Sequence, residues 1–163
     1  MTSIKIVALI VLMPFLASGQ KKSIDKLLKT YNTESVPYIS VQELKMKAYS
    51  YVILDTRKKE EYEVSHLPKA IWVGENFNAL NLDQFLKSKK EVVVYCTVGI
   101  RSEDFGEKME RSVSKKIHNL YGGIFAWKDA GYELLDSKNQ PTDRVHTFSK
   151  NWQDYLKTGV AVY

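Results

Sequence analysis

Short apolar runs alternate with charged segments over most of the chain. The runs are rich in β-branched residues and predict buried strands at 51–54, 70–73, 91–95 and 116–120. Apolar residues at helical spacing predict helices at 58–64, 78–88, 102–111 and 124–130. Because strands that alternate with helices build parallel sheets, the pattern predicts an α/β fold.

Both ends of this pattern have a distinct character. Residues 20–39 are polar and rich in lysine, which predicts a linker or a short amphipathic helix. A capping box at 40–43 (SVQE) predicts that a helix starts there and runs to about Ala48. The segment 137–163 contains too many aromatic residues for a disordered tail, so we expect it to pack on the domain. Packing is also the role expected of its Trp152 and Tyr155.

The first 19 residues predict a secretory signal peptide. Lys5 precedes an apolar run from Ile6 to Leu16, and the small residues at 17–19 suit a signal peptidase, with cleavage after Gly19. The run is shorter than the ~20 residues that span a bilayer, so no membrane span is expected after cleavage. The sequence therefore predicts an exported protein, either periplasmic or secreted.

Composition narrows the classes of function. The chain has 163 residues and a formal charge of +5, which fits one domain with a basic surface. It has no nucleic-acid motif and no stripe of aromatic and basic residues, so nucleic-acid binding is not expected. None of the three histidines has a partner at metal-ligand spacing, so neither a metal nor a cofactor is predicted.

Cys96 is the only cysteine, so no disulfide can form within the chain. A lone thiol in an oxidising compartment is exposed to oxidation and intermolecular pairing, which suggests that the thiol is used. A buried and inert cysteine is the alternative.

The residues after Cys96 suit a reactive thiolate. A predicted strand ends at Cys96, the loop Thr97-Val98-Gly99-Ile100-Arg101 follows, and a helix begins at Ser102. A loop that enters a helix amino terminus directs several backbone N–H groups to one point, and the helix dipole adds positive potential there. Both effects stabilise a thiolate, while the Arg101 guanidinium can bind an anion through two hydrogen bonds. The sequence thus predicts a sulfur nucleophile in an anion-binding loop.

This loop resembles the active-site loop of the rhodanese family, which reads Cys, two residues, Gly, one residue and Arg. Three other segments are similar to motifs of that family, in the same order: 52–57 (VILDTR), 60–70 (EEYEVSHLPKA) and 120–132 (LYGGIFAWKDAGY). The resemblance covers about residues 40–136. It implies a three-layer rhodanese-like fold, with a central, mostly parallel five-stranded sheet flanked by helices.

The resemblance also implies a sulfurtransferase. Cys96 would accept a sulfane sulfur as a persulfide, held by residues 97–101, and pass it to an external thiol or cyanide. The expected partners are a small sulfur-donor anion and a thiol acceptor from outside the chain, since no second cysteine is present. Thr97, Val98 and Ile100 are uncharged, whereas some thiosulfate-using members carry basic residues in this loop, which weakens thiosulfate as the natural donor.

Three further residues are candidates near the site. Asp55 and Arg57 are expected to support the loop through a salt bridge, and Arg57 is also a candidate for substrate contact. His66 resembles a structural, hydrogen-bonding residue of the family. Arg101 has two open roles, which are contact with substrate and bridging of the loop to nearby carboxylates.

Two other functions remain open. Phosphatases and arsenate reductases of the related fold use a longer loop, whereas four residues separate Cys96 from Arg101 here, and this short ring favours sulfur over a phosphoryl group. A non-enzymatic binding or redox-sensing module is the remaining alternative.

Overall fold

The computed structural model describes residues 22–78, 82 and 87–163. The predicted signal peptide lies outside these residues, and so does most of the helix predicted at 78–88. Among the residues described, no helix has both the length and the apolar character required to cross a membrane.

A five-stranded parallel sheet forms the centre of the molecule. Its strands, in spatial order, are β1 (Tyr38–Ile39), β5 (Ile117–Leu120), β4 (Glu91–Tyr95), β2 (Tyr51–Asp55) and β3 (Ile71–Trp72). Every neighbouring pair is parallel. The register sets Leu54 opposite Val94 and Asp55 opposite Tyr95 in the two central strands. The predicted α/β fold with a parallel five-stranded sheet is therefore confirmed.

Helices cover both faces of this sheet. Successive strand residues point to opposite faces and are apolar, so each face needs a covering layer. One core contains Ile53 and Val93 with buried residues of the helices α1 (Ile24–Tyr31), α2 (Val41–Lys47) and α5 (Gly123–Asp129). The other contains Leu54 and Val94 with Phe105 and Met109 of α4 (Arg101–Glu110). A further helix, α3, spans Lys59–Val64. Strands that are apolar on both faces are typical of parallel sheets with helices on each side.

The helix predicted to start at Ser40 is present. The Ser40 hydroxyl accepts a hydrogen bond from the Glu43 amide at 3.1 Å and caps α2. The polar amino-terminal segment contains α1, which matches one of the two expectations for it. Leu27 and Leu28 are its buried residues.

The segment after residue 136 lies against the first core. It contains β7 (Pro141–Thr142), which pairs with β6 (Leu134–Leu135), and β8 (Arg144–His146), which pairs with β9 (Val160–Val162). A 3₁₀ helix over Lys150–Tyr155 lies between the last two strands. Val145 and Leu156 are buried in the first core. The segment is thus packed on the sheet domain, while the exact domain boundaries remain predictions.

Trp72 lies within the strand predicted as buried at 70–73, but it is not a core aromatic. It is 40% exposed, and its indole N–H donates to the Arg57 carbonyl at 2.9 Å. The strand β3 is at the edge of the sheet, so its side chains have a neighbouring strand on one side only. Trp127, by contrast, is 2% exposed.

Candidate active site

Cys96 lies directly after the central strand β4, and its side chain is 1% exposed. The Gly99 amide donates to its Sγ at 3.2 Å. The Ser102 hydroxyl is 3.5 Å from the same sulfur but only 2.7 Å from Asn119 Oδ1, and its single proton favours the shorter contact. The sulfur therefore receives one backbone N–H from the loop that leads into α4, where the sequence pattern predicts several.

The loop after Cys96, residues 96–101, is called here the cysteine loop. Gly99 has φ +107°, a conformation that side-chain-bearing residues rarely adopt. Its carbonyl accepts hydrogen bonds from the amide groups of Asn119 at 2.8 Å and Asn32 at 2.9 Å. The loop is thus tied both to β5 and to the segment that follows α1.

The amino terminus of α5 holds the first two carbonyls of the cysteine loop. The amides of Ile124 and Phe125 donate to the carbonyls of Cys96 and Thr97 at 3.0 and 3.2 Å. Gly123 precedes them with φ +55°, and a Cβ there would lie 2.3 Å from the Cys96 carbonyl oxygen. Only glycine permits this close approach. The Gly-Gly motif identified in the sequence therefore positions the cysteine.

Arg101 is held by carboxylates on the side of the loop. Its two terminal nitrogens donate to the two oxygens of Glu61 at 2.8 Å each, and one also donates to Glu75 at 2.7 Å. Its other terminal nitrogen donates to the Thr97 hydroxyl at 2.7 Å. Of the two roles left open for Arg101, bridging to carboxylates is the one these contacts display, although the residue also borders the cavity above Cys96.

Glu61 was not recognised from the sequence as a site residue, and its side chain is fully buried. Burial raises the pKa of its carboxyl, but hydrogen bonds and charge from Arg101, with the charge of Arg57, outweigh burial and lower that pKa. Burial lowers the pKa of the Arg101 guanidinium, while the hydrogen bonds it donates to Glu61 and the charge of Cys96 raise that pKa overall. Both groups are therefore ionised. The signal available in the sequence was the acidic pair at the start of α3, which is typical of a helix amino terminus. The Glu61 side chain caps this helix by accepting a hydrogen bond from the Lys58 amide at 3.1 Å.

Asp55 and Arg57 form a buried salt bridge, as the sequence predicts. The Arg57 guanidinium contacts both Asp55 oxygens, at 2.6 Å for the shortest contact, and donates to the Ser65 carbonyl at 2.7 Å. The Tyr95 hydroxyl donates to Asp55 at 2.5 Å. Burial lowers the pKa of Arg57, but the Asp55 charge more than compensates, so the guanidinium stays charged.

Arg57, also a candidate for substrate contact, does not border the cavity above Cys96. Its side chain is 0% exposed. The reason is that Asp55 and the Ser65 carbonyl hold the guanidinium inside the protein. The structure gives Arg57 a supporting position beside β2.

His66 also has structural contacts. Its backbone exchanges two hydrogen bonds with Leu135, at 2.8 and 3.0 Å. Its ring stacks on Tyr62 with centroids 4.0 Å apart. These contacts match the supporting role that the resemblance implies.

A cavity of about 520 Å³ lies above Cys96. Thr97, Val98, Ile100 and Arg101 line it, whereas Gly99 is not among its lining residues. The rest of the cavity comes from outside residues 40–136. Three aromatic residues of the carboxy-terminal segment, called here the aromatic wall, line one side: Phe148, Trp152 and Tyr155.

The aromatic wall extends the role expected of Trp152 and Tyr155. Both pack against the first core, as predicted, but both also border the cavity over the nucleophile. From α1, Leu27 and Tyr31 line the cavity as well. Lining of the pocket entrance was the alternative to packing for Trp152 and Tyr155, and the chain order does not show that α1 and the carboxy-terminal segment meet over the loop.

Among residues 22–78, 82 and 87–163, no group of three or more His, Cys, Asp or Glu residues is arranged to hold a metal ion.

The fold and the site together define a class of protein, in which a parallel α/β domain presents a cysteine on the loop between its central strand and a helix. The family model of the rhodanese-like domain matches residues 40–130. The chain therefore belongs to the rhodanese-like domain family.

The chain is also similar in sequence to known proteins. A probable molybdopterin-synthase adenylyltransferase of Porphyra purpurea is 34% identical over 136 residues, which cover 77% of this chain and 34% of that protein. A tRNA uridine(34) hydroxylase of Streptococcus pyogenes is 35% identical over 123 residues, covering 63% of this chain and 37% of that protein. The chain thus spans about a third of the length of these curated relatives.

Solved structures share the fold. A thiosulfate sulfurtransferase from Pseudomonas aeruginosa aligns with a TM-score of 0.60 and 22% identity, over 72% of this chain and 23% of that one. A rhodanese-like domain protein from Staphylococcus aureus aligns with a TM-score of 0.50 and 27% identity, over 56% of this chain and 91% of that one.

Proposed function

We propose that the protein is a sulfurtransferase that carries sulfane sulfur as a persulfide on Cys96. The observation that supports this most directly is the position of Sγ. It lies at the base of a cavity, 3.2 Å from the Gly99 amide and beside the start of α4. A backbone N–H and a helix amino terminus both favour negative charge on sulfur, in the thiolate and in the persulfide anion.

The reaction has two displacement steps. In the first, the Cys96 thiolate attacks the outer sulfur of the donor, an S–S bond forms, and the donor leaves with the electron pair of its broken bond. In the second, an external thiolate or cyanide attacks the outer sulfur of the persulfide, and Cys96 leaves as a thiolate. No external oxidant is required, and with 3-mercaptopyruvate as donor the pyruvate enolate that leaves takes a proton from solvent. The acceptor must be external because Cys96 is the only cysteine.

Sulfur transfer is tested by loading the purified protein with thiosulfate or with 3-mercaptopyruvate. Intact mass spectrometry should show the added mass of one sulfur atom, and peptide mapping should place it on Cys96. Cyanide should remove this mass, whereas a sulfinic acid of nearly equal mass would persist. Cys96→Ser is expected to remain unloaded. Failure of both donors and of organic sulfane donors to load Cys96 would contradict the proposal.

A non-enzymatic redox-sensing module is the second candidate, because a lone thiol whose thiolate is stabilised by the loop is also open to oxidation. Cys96 is 1% exposed, so only a small oxidant that fits the cavity would reach it. This candidate predicts that peroxide oxidises Cys96 reversibly while no sulfane donor loads it. The four-residue spacing to Arg101 still favours sulfur over a phosphoryl group, and we expect no hydrolysis of phosphate esters.

We also propose that the protein is exported, on the strength of the apolar run and small residues before Gln20. Mass spectrometry of the mature amino terminus is expected to find Gln20 as the first residue. A protein recovered from cells with an intact Met1 would contradict export.

A further inference from the structure

The cavity over Cys96 is more apolar than the transfer of an inorganic anion requires. Leu27 and the aromatic wall face it from the two chain ends, and Val98 and Ile100 face it from the cysteine loop. Its volume of about 520 Å³ is within the range, roughly 300–1,000 Å³, of sites that bind small organic molecules. A small inorganic anion would leave most of this apolar surface without a partner.

The two cations that line the cavity are already paired. Arg101 is held by Glu61 and Glu75, so two carboxylates face one guanidinium. Lys22 is 3.3 Å from Asp154 and lies over the Tyr155 ring. Among the described residues that line the cavity, no other side chain is a lysine or an arginine. A doubly charged donor would therefore have to compete with protein carboxylates for these cations.

Phe148 adds a second, independent feature. It has φ +63°, which is unusual for a bulky residue, and its amide donates to His146 Nδ1 at 3.0 Å. This backbone places its ring 4.9 Å from the Arg101 guanidinium, over the entrance to the cysteine loop. Backbone strain of this kind is retained where the surrounding structure holds it, and here its result is an aromatic face at the cavity.

We propose that the cavity selects an organic sulfane-sulfur donor, with an apolar aromatic or alkyl body, in preference to an inorganic anion such as thiosulfate. This inference rests on the proposed sulfur transfer at Cys96 and specifies the donor. The body of the donor packs against Leu27 and the aromatic wall while its outer sulfur meets Cys96 Sγ. With a thiosulfonate, R–SO₂–S⁻, the Cys96 thiolate takes the outer sulfur. The S–S bond of the donor breaks, and the sulfinate R–SO₂⁻ leaves with the electron pair.

The test compares benzenethiosulfonate with methanethiosulfonate, which share the reacting group and differ in the body. Cyanide serves as the common acceptor, and kcat/KM is measured for each donor and for thiosulfate. The wild-type protein should prefer the benzene compound to the methane compound by at least about tenfold. Because the two donors also differ in intrinsic reactivity, the decisive quantity is how this preference changes in variants.

Two variants remove part of the aromatic wall. Trp152→Ala and Phe148→Ala should each reduce the preference for the benzene compound by about fivefold or more. Phe148 is 43% exposed, so its truncation disturbs folding little and keeps the test valid if Trp152→Ala is unstable. Tyr49→Ala is the matched control, because Tyr49 is 70% exposed and is not among the lining residues; its preference should equal that of the wild type.

The outcomes separate this inference from the proposed function. If the donors load Cys96 but both wall variants keep the wild-type preference, donor selection by the wall is wrong and sulfur transfer stands. Higher kcat/KM for thiosulfate than for both organic donors would also overturn the inference alone. If no donor loads Cys96, the proposed function fails and this inference fails with it.

Discussion

The base and the side of the cavity have different origins and different physical characters. The base is the cysteine loop, which belongs to the rhodanese-like domain and is held by backbone hydrogen bonds and paired charges. The side is the aromatic wall together with α1, both outside residues 40–130, and it is largely apolar. The comparison teaches that the proposed nucleophile and most of the apolar surface above it come from separate parts of the chain.

The two parts also differ in how firmly they are held. The carbonyls of Cys96 and Thr97 accept from α5, and the carbonyl of Gly99 accepts from two asparagines. The segment that carries the wall is tied to α5 mainly through Asp129, which accepts from the amides of Lys157 and Thr158. Changes in the base should therefore abolish activity, whereas changes near the wall should alter it by smaller amounts.

The largest effect is expected from Gly123→Ala. The new Cβ would overlap the Cys96 carbonyl oxygen and occupy a left-handed conformation, which should cost about 3 kcal/mol of unfolding free energy. Displacing Cys96 should lower the rate of sulfur loading about a hundredfold. Urea denaturation and persulfide formation followed by mass spectrometry measure both effects.

Gly131→Ala is the control for this prediction. Gly131 also has positive φ, at +79°, but a Cβ there would meet nothing within 4 Å. It should cost only about 1 kcal/mol and leave sulfur loading at the wild-type rate. Equal effects of the two substitutions would show that close packing at Gly123 does not position the loop.

A smaller effect is expected from Glu61→Gln, which removes the buried charge facing Arg101. We expect the free energy of unfolding to fall by about 2–3 kcal/mol at neutral pH. The loss is limited because Glu75 and Thr97 still contact the Arg101 guanidinium. The folded-state pKa of Glu61 is lowered below its unfolded value of ~4.3. Its contribution to stability is therefore present above that value and is lost as pH falls through the folded-state pKa.

Urea denaturation of wild type and Glu61→Gln across acidic pH measures this contribution. The two stabilities should converge as pH falls below the unfolded-state value of ~4.3 and through the lowered folded-state pKa of Glu61. Glu63→Gln is the control in the same helix, since Glu63 makes only an exposed contact with Lys59 and should change stability little. A constant difference between wild type and Glu61→Gln down to strong acid would contradict the assignment.

The smallest effect is expected from Asp129→Ala, which weakens the attachment of the wall. Loss of the hydrogen bonds to the Lys157 and Thr158 amides should cost about 1 kcal/mol. The preference for benzenethiosulfonate should fall about twofold, because the apolar wall remains but is held less firmly. Steady-state kinetics checks this, with Asp143→Ala, an exposed partner of Lys128, as a control that should retain the wild-type preference.

Contacts between distant residues explain what sequence reasoning missed. From the sequence, Glu61 is only a charged residue at the start of a helix. Its role depends on its contact with Arg101, which lies 40 positions later in the chain. The strand at Tyr38–Ile39 was not predicted because two residues are too few for a periodic pattern, and it exists by pairing with β5. Arg57 was also a candidate for substrate contact. Its guanidinium is buried inside the protein, where it contacts the Ser65 carbonyl and Asp55.

The sequence by itself determined the fold class and the placement of Cys96 at the end of a strand. Periodicity is local, so it can be read from neighbouring residues. The tertiary structure alone decided which carboxylate pairs with Arg101, where Arg57 is buried and which side chains cover the nucleophile. Those features depend on residues far apart in the chain, and in the cavity over Cys96 they bring α1 and the aromatic wall from opposite ends of the chain to one site.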